Sequence, residues 1–277
     1  MSRSLPPVQS FTHAGRRIAY RVYGDGPRLI VLTHGLLMDM RMYTALAPAL
    51  AARGNKVITV DMLGHGASDQ PHDMHAYTMS QFGKDVIALL DHLGVEQAVL
   101  GGTSLGANIA LEAADLAPER VRALVIEMPV LEHAIVAAAA VFVPLALAIR
   151  ISQRAMSLLA WLTRKIPRTH FLLDVAIDFV RRDPRASLAV LDGLTFGRIA
   201  PPRALRLRLT QPALVIGHER DPVHAFSDAD TMARELPNAR LLTAESILEW
   251  RLRPARLDGA LADFLDEVWQ EPLAVAS

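Results

Sequence analysis

Short apolar runs that alternate with helical patterns constrain the fold of this chain most. Each run is too short for a helix, and three of the four end at histidine-glycine, aspartate or glycine, which is typical of buried strands. The runs are residues 29–32, 56–60, 97–100 and 121–126, and the helical patterns between them are residues 45–53, 79–93 and 105–116. Because parallel neighbours need a crossover connection, this alternation predicts a doubly wound parallel sheet.

Further strand and helix patterns lie at both ends of the chain. Two segments before the first buried run are predicted to form an antiparallel lead-in, joined by a turn at Ala14-Gly15. After residue 207 the alternation resumes. These elements are the lead-in strands at 8–12 and 17–22, strands at 212–216 and 239–243, and helices at 227–236 and 254–269. Together they predict an eight-stranded, mostly parallel sheet.

Residues 131–207 interrupt the alternation with helical periodicity and no strand pattern. In open α/β sheets ligands bind outside the carboxyl ends of the strands, so an insert that leaves one of those ends would cover the site. The predicted organisation is a core of residues 1–130, a helical cap of residues 131–207 inserted after the sixth strand, and the rest of the core, 208–277.

Charge and cysteine content exclude several function classes. The 277 residues carry 29 Lys+Arg and 29 Asp+Glu, so the chain has no net charge to attract a nucleic-acid backbone. Cysteine is absent from the sequence. A disulfide framework, a thiol nucleophile and a thiolate metal site are therefore excluded, and no metal or cofactor is expected.

The chain is also unusually apolar, with 51% hydrophobic residues. The first residues lack a charged start followed by an apolar run, so a signal peptide is not expected and a cytoplasmic location is predicted. Residues 134–149 are apolar but fall short of the ~20 residues that span a bilayer, which indicates a buried or interfacial helix. Stable membrane insertion is not expected, whereas transient contact with a membrane surface is compatible with this pattern.

The segment Gly102–Gly106 reads Gly-Thr-Ser-Leu-Gly and lies where a predicted strand ends and a helix begins. Small residues around the serine allow a strained turn that exposes its hydroxyl at the strand end. The helix N-terminus behind it stabilises negative charge. This G-x-S-x-G pattern in its strand-to-helix context predicts Ser104 as a nucleophile.

Three further motifs accompany this elbow. They are His34-Gly35-Leu36 after the first parallel strand, the stretch Asp-Met-Leu-Gly-His-Gly-Ala-Ser-Asp at residues 61–69, and Gly-His-Glu-Arg-Asp-Pro-Val at residues 217–223. With the elbow, they make the chain similar, over nearly its whole length, to the α/β-hydrolase fold superfamily with a helical cap. The resemblance implies a doubly wound, mostly parallel eight-stranded sheet.

The resemblance also implies roles for individual residues. Ser104 matches the nucleophile and Asp221 the acid that follows the seventh strand. The backbone N–H groups of Leu36 and Leu105 match the two donors that face the oxyanion. His34 is interpreted as an anchor of the oxyanion loop, and His65, in a turn that is structural in most members, receives no catalytic role.

The general base departs from the family pattern. The family places a histidine after the last strand, but here Ser246-Ile247 stands at that point and no histidine follows His224. His224 is the first alternative, because a carboxylate and an imidazole three residues apart can bond within one turn. His133, at the start of the cap, is the second, and a site without a conventional base is the third.

These candidate residues support two alternative hypotheses about function. The leading hypothesis is a cofactor-independent serine hydrolase acting on a hydrophobic ester or thioester, because the cap and Met38, Met40 and Met42 offer apolar surface. The alternative is a catalytically impaired protein that kept the fold and binds a lipophilic ligand. A serine at the elbow disfavours epoxide hydrolase chemistry, since that family uses aspartate there. The sequence assigns no oligomeric state.

Overall fold

The computed structural model describes residues 5–163, 165–167, 177, 178, 180–247 and 249–270. Its centre is an eight-stranded sheet in the order β1-β2-β4-β3-β5-β6-β7-β8. The strands are β1 (Gln9–His13), β2 (Arg16–Tyr23), β3 (Arg28–Thr33), β4 (Asn55–Asp61), β5 (Ala98–Thr103), β6 (Val121–Glu127), β7 (Ala213–His218) and β8 (Ala239–Ala244). The predicted sheet is confirmed, with an antiparallel pair of strands at one edge followed by six parallel ones.

Helices cover both faces of the sheet. They are α1 (Leu46–Ala51), α2 (Met79–His92), α3 (Leu105–Leu116), α4 (Ala134–Ile151), α5 (Gln153–Thr163), α6 (Pro184–Thr195), α7 (Arg203–Arg206), α8 (Phe226–Glu235), α9 (Glu249–Leu252) and α10 (Ala255–Gln270), with 3₁₀ turns at Met40–Tyr43, Met74–Ala76 and Pro118–Arg120. Apolar side chains of α1 and α10 pack on one face of the sheet, and those of α2, α3 and α8 on the other. The inner strands β3 to β7 are therefore buried on both sides, which explains why they read as apolar runs, whereas the edge strands β1 and β8 are largely exposed.

The helix α2 illustrates how local sequence sets these elements. Its N-cap Thr78 accepts a hydrogen bond from the backbone N–H of Gln81, which satisfies one of the free donors of the first turn. The buried positions Phe82, Val86 and Leu89 then recur at a spacing of three or four residues. This spacing places them in one stripe toward the sheet.

The insert, by which we mean residues 131–207, leaves the sheet after β6 and returns at β7. Its described residues contain α4 to α7. The carboxylate of Asp228 on α8 caps α4, accepting from the backbone N–H groups of Leu131 (2.7 Å), His133 (3.1 Å) and Ala134 (2.9 Å). One buried acid thus fixes the start of an otherwise uncapped helix to the core.

The helix α4 is apolar on nearly every side. By length and composition its 18 residues are sufficient to cross a membrane, with a mean hydropathy of 2.4. Only Ala134 and Ile149 are buried. A predominantly buried position, one of the two expectations for this run, is therefore wrong. The rest of the protein contacts α4 along one side only, so most of its apolar side chains remain at least partly exposed.

Candidate active site

The turn between β5 and α3 holds Ser104 in a strained conformation. Its φ of 55° and ψ of −111° lie outside the helical region, and its N–H donates to the carbonyl oxygen of Glu127 at 2.8 Å. The flanking glycines permit this turn because a Cβ on Gly102 would lie 2.4 Å from the carbonyl carbon of Gly106. A Cβ on Gly106 would lie 1.9 Å from the Thr33 carbonyl oxygen.

The side chains of Ser104, His224 and Asp221 form one hydrogen-bonded series. His224 Nε2 lies 2.8 Å from Ser104 Oγ, and His224 Nδ1 lies 2.8 Å from Asp221 Oδ2. Since a carboxylate only accepts, Nδ1 carries the proton and Nε2 is free to accept the serine O–H. The Asp221 side chain is 2% exposed and that of His224 19% exposed, so the pair is shielded from water yet faces the site.

The loop after β7 brings the acid and the imidazole together. Asp221 Oδ1 accepts from the backbone N–H groups of Val223 (2.8 Å) and His224 (2.9 Å), leaving Oδ2 for the ring. Burial acts to raise the pKa of Asp221, but the hydrogen bonds and the charge of the His224 partner outweigh it and hold that pKa below its ordinary value. The carboxyl group therefore stays ionised at neutral pH.

His133, the second base candidate, is held by another carboxylate. Its Nδ1 lies 2.8 Å from Asp228 Oδ1, at the N-terminus of α4. Among the hydrogen bonds of the described residues, the imidazole contact of Ser104 Oγ comes from His224 and not from His133. The structure thus brings together the first of the two candidates with the predicted nucleophile.

Two buried histidines hold the loop that carries Leu36. His34 Nε2 accepts from the backbone N–H of Met62 at 3.0 Å, and His65 Nε2 accepts from that of Leu37 at 3.3 Å. Burial lowers the pKa of His34 to about 4 and that of His65 well below its ordinary value. Both rings are neutral at pH 7, as an acceptor nitrogen requires, and their contacts correspond to anchoring.

The proposed oxyanion donors lie beside the nucleophile. Leu36, Leu105 and Ser104 line the same cavity, and Leu105 is the first residue of α3. Backbone N–H groups in the first turn of a helix have no partner within the helix. The N–H of Leu105 is therefore available to an acceptor in the cavity.

The cavity over Ser104 has a volume of about 180 Å³ and an apolar lining. Its polar lining residues are Ser104, Asn108 and Thr195, and the Asn108 amide is already bonded to the carbonyl oxygens of Val130 and Ile199. The insert contributes most of the apolar surface. These residues are Ile135, Ala138, Ala139, Phe142 and Val143 of α4, with Leu191 and Leu194 of α6.

Other apolar residues that the sequence placed at the pocket lie elsewhere. Met38, Met40 and Met42 are not among the described lining residues. The same holds for α5, where Trp161 is exposed to solvent. Of the apolar segments expected at the pocket, α4 is the one whose described residues line the cavity.

The position where the family places its histidine is occupied by a different polar cluster. Ile247 lies in the turn after β8, and the Ser246 carbonyl oxygen accepts from His218 Nδ1 at 2.7 Å. Arg251 of α9 reaches the fully buried Glu127 at 2.9 Å, and Glu127 also accepts from Thr103, the neighbour of Ser104. This cluster anchors the end of β5 from behind the elbow.

Sequence reasoning missed this cluster and the capping role of Asp228. A carboxylate at the end of an apolar strand, as in Glu127, was the available signal, since buried carboxylates need a partner. Its partner Arg251 is 124 residues away in the chain, and no spacing rule connects the two. Among the described residues, no group of three His, Asp or Glu side chains is arranged to hold a metal.

The family is established by comparison with known proteins. The sequence model described as "alpha/beta hydrolase fold" matches residues 28–246, most of the chain. The chain therefore belongs to the alpha/beta hydrolase fold family. A solved hydrolase from Pseudomonas aeruginosa PA01 is 27% identical, with a TM-score of 0.76, over 93% of this chain and 98% of that one.

Curated relatives match only one part of the chain. The acetyltransferase component of the acetoin cleaving system from Pseudomonas putida is 36% identical over 43% of this chain and 32% of that protein. The bifunctional epoxide hydrolase 2 of Sus scrofa is 36% identical over 40% of this chain and 20% of its own length. The chain thus spans between a fifth and a third of the length of these relatives.

Proposed function

We propose that this chain is a serine hydrolase that cleaves a hydrophobic carboxylic ester or thioester. The observation that carries the proposal is the continuous series Ser104 Oγ, His224 Nε2, His224 Nδ1 and Asp221 Oδ2, with 2.8 Å at both hydrogen bonds. A nucleophile bonded to a base that a third group orients is the general signature of nucleophilic catalysis. Membership in a hydrolase fold family supports the same class.

The chemistry divides into two acyl transfers. His224 Nε2 takes the proton of Ser104 as Oγ attacks the carbonyl carbon, and the ionised Asp221 stabilises the imidazolium that forms. The tetrahedral oxyanion faces the N–H groups of Leu36 and Leu105, each worth about 2.7–4 kcal/mol. As the intermediate collapses, His224 returns the proton to the departing alcohol or thiol. Water then hydrolyses the acyl-serine by the same route.

The cavity supports the substrate class. Its lining is apolar apart from Ser104, Asn108 and Thr195, so a charged or strongly polar acyl group would lose its hydration without replacement. Because residues of α4 line the cavity over Ser104, the insert would act as a cap. No cofactor enters the reaction, because each proton transfer has a side chain to perform it.

The serine at the elbow favours ester cleavage over epoxide hydrolysis. The curated epoxide hydrolase relatives match 40% of this chain. Epoxide hydrolase chemistry calls for an aspartate at the elbow, where this chain carries Ser104. Ser104 and a base at 2.8 Å favour an acyl-serine intermediate instead.

A fluorophosphonate probe tests the proposal directly. We expect covalent labelling of the wild-type chain and none of Ser104→Ala, because the probe phosphonylates only an activated serine. His224→Gln should label far more slowly, since the serine would keep its proton. Equal labelling of wild type and Ser104→Ala would contradict the assignment.

The same probe distinguishes a hydrolase from the alternative, a protein that binds a lipophilic ligand without catalysis. Such a protein would bind a fatty ester saturably, remain unlabelled and release no alcohol. The absence of a histidine after the last strand motivated that alternative, and in our proposal His224 acts as the general base instead. Turnover of p-nitrophenyl butyrate by the wild type and its loss in Ser104→Ala would exclude it.

A further inference from the structure

The solvent-facing side of α4 is as apolar as its inner side. Val136, Leu147 and Ile151 form a stripe at helical spacing that does not line the cavity, and Val136 and Ile151 are 77% and 76% exposed. Helices of soluble proteins place polar residues on this side, whereas a helix that is apolar all round is buried in protein or in lipid. No described part of the chain buries this stripe.

The next helix, α5, also exposes apolar side chains to solvent. In α5 the side chains of Leu158, Trp161 and Leu162 are exposed, Trp161 by 62%. Exposed apolar clusters of this extent mark interaction sites. Tryptophan is enriched at the membrane–water interface, where its amphipathic ring lies at the level of the headgroups.

The charge of this region has one sign. From Ala134 to Leu173 the sequence contains no aspartate or glutamate but carries Arg150, Arg154, Arg164, Lys165 and Arg168, in a chain of zero net charge. Arg164 and Arg168 lie outside the described residues. Exposed apolar side chains beside cations alone are complementary to an anionic lipid surface.

A basic cleft lies where α4 meets α5. It has a volume of about 780 Å³ and is lined by Arg150, Arg154 and Arg185, together with Asp183. Arg150 is paired with Asp192 at 2.5 Å, and Asp183 accepts from His72 and from the Arg185 backbone. Arg154 and Arg185 are exposed. The cleft thus offers two exposed guanidinium groups at the end of the apolar stripe.

We propose that the α4–α5 surface, defined by Val136, Leu147, Ile151, Trp161 and Arg154, docks on the surface of a bilayer that contains anionic phospholipid. The apolar stripe enters the headgroup boundary and the arginines contact the lipid phosphates. The docking itself does not depend on catalysis.

Other occupants fit this surface less well. A symmetric dimer through it would bring two copies of the same cations together without a carboxylate on α4 or α5 to pair with them. The length and composition of α4 would allow it to span a membrane, but a spanning α4 would lose its cap at Asp228. Spanning would also withdraw Ala138 and Phe142 from the cavity that they line.

The surface has a consequence for catalysis that rests on the proposed function. The inner stripe of α4 lines the cavity of Ser104 while the outer stripe faces the lipid, so one helix separates the two. A lipophilic ester dissolved in the bilayer would then reach the nucleophile without crossing water. The preferred substrates would be esters carried by membranes or micelles.

Vesicle flotation tests the docking. The full chain is mixed with vesicles of phosphatidylcholine alone or with phosphatidylglycerol added. We expect flotation with the anionic vesicles, weakened by salt, and little with the neutral ones. Val136→Ser/Leu147→Ser should reduce the binding constant about tenfold or more, and Arg154→Gln about fivefold.

Matched controls alter the same residue types elsewhere. Leu241→Ser on the edge strand β8 and Arg234→Gln on α8 remove an exposed leucine and an exposed arginine, and should leave flotation unchanged. Circular dichroism and turnover of soluble p-nitrophenyl acetate verify that Val136→Ser/Leu147→Ser is folded, since neither side chain lines the cavity.

Several outcomes would overturn the proposal. They are absence of flotation with any vesicle, equal loss in the control variants, and a dimer that Val136→Ser/Leu147→Ser converts to monomer without vesicle binding. Protein that resists extraction by high salt and alkali would indicate a spanning helix instead. Ser104→Ala should float like the wild type, so a failure of the hydrolase proposal and a failure of the docking proposal are separate results.

Discussion

Ser104, Asp221 and His224 are each held by backbone contacts that leave the reactive atoms free. The serine N–H is bonded to Glu127, and the Asp221 carboxylate uses one oxygen for two backbone donors and the other for the imidazole. The orientation of His224 therefore depends on a loop of a few residues. Its contact with Ser104 depends on the convergence of β5 and β7 at one sheet edge.

Replacing the two histidine candidates distinguishes their roles. We expect His224→Gln to lower kcat for p-nitrophenyl butyrate by about 10⁴-fold or more, because no group would accept the serine proton. His133→Gln should retain nearly the wild-type kcat, since its ring bonds Asp228. A comparable loss in both variants would contradict the assignment of His224 as base.

Two glycines in helices should respond in opposite ways to a methyl group. Gly106→Ala places a Cβ 1.9 Å from the Thr33 carbonyl oxygen and should cost about 3 kcal/mol of unfolding free energy or more. Gly259→Ala in α10 meets no atom within 4 Å and should stabilise by about 0.5–1 kcal/mol. Urea unfolding measures both, and a similar effect of the two would contradict the packing at the elbow.

At the scale of elements, buried charges connect segments that are far apart in the chain. Asp228 of α8 caps α4, and Arg251 of α9 pairs with Glu127 at the end of β6. The insert and the loop after β8 are thereby fixed to the strands that carry the site. These contacts fix the positions of α4 and α9 relative to the sheet. Removing one partner of such a contact leaves the other partner buried with an uncompensated charge.

The pair Glu127–Arg251 should be costly to break. Arg251→Met leaves Glu127 buried without its cation and should lower the unfolding free energy by about 3–5 kcal/mol at pH 7. The double variant Glu127→Gln/Arg251→Met should lose less, because no unpaired charge remains. Urea unfolding of the three chains checks this, and additive losses would contradict the coupling.

The same pair predicts a pH dependence. Burial acts to raise the pKa of Glu127, but the charge of Arg251, the His218 ring 3.5 Å away and a hydrogen bond from Thr103 lower it to about 2, from 4.5. Because the folded pKa is lowered, the stabilisation is complete above pH 4.5 and is lost as the pH falls toward 2. The difference between wild type and Arg251→Met should therefore shrink as the pH falls through this range.

At the scale of the whole molecule, the insert and the sheet together form the cavity. Its floor is the elbow with Leu36 and Leu105, and its walls come from α4 and α6. Neither part encloses the space alone. The acyl-chain selection that we propose would therefore depend on how the insert packs on the core.

Filling the cavity should change selectivity for acyl length. Ala138 lines the cavity, whereas Ala140 is exposed on another side of α4. We expect Ala138→Phe to lower kcat/KM for p-nitrophenyl octanoate relative to the acetate by about tenfold or more. Ala140→Phe is the control and should leave this ratio unchanged. The same ratio in both variants and wild type would place the acyl group elsewhere.

The sheet was predictable because each parallel strand has its own local signal. The run at residues 29–32 and the later ones as far as residue 216 are predominantly apolar, since helices cover both faces of the inner strands. The elbow was equally readable, because Gly102, Ser104 and Gly106 lie within five residues between a strand pattern and a helix pattern. Family and fold class, predicted from these motifs, are confirmed.

The sheet, the elbow with Ser104 and the position of Asp221 could be predicted from local sequence, because short-range patterns encode strands, turns and helix starts. Tertiary structure alone decided which imidazole meets Ser104, which charges pair behind it and which side of α4 faces solvent. The two pairings depend on segments that are more than 100 residues apart, since Ser104 and His224 are separated by 120 residues and Glu127 and Arg251 by 124. Hydrophobic periodicity along one segment contains no information about such distances.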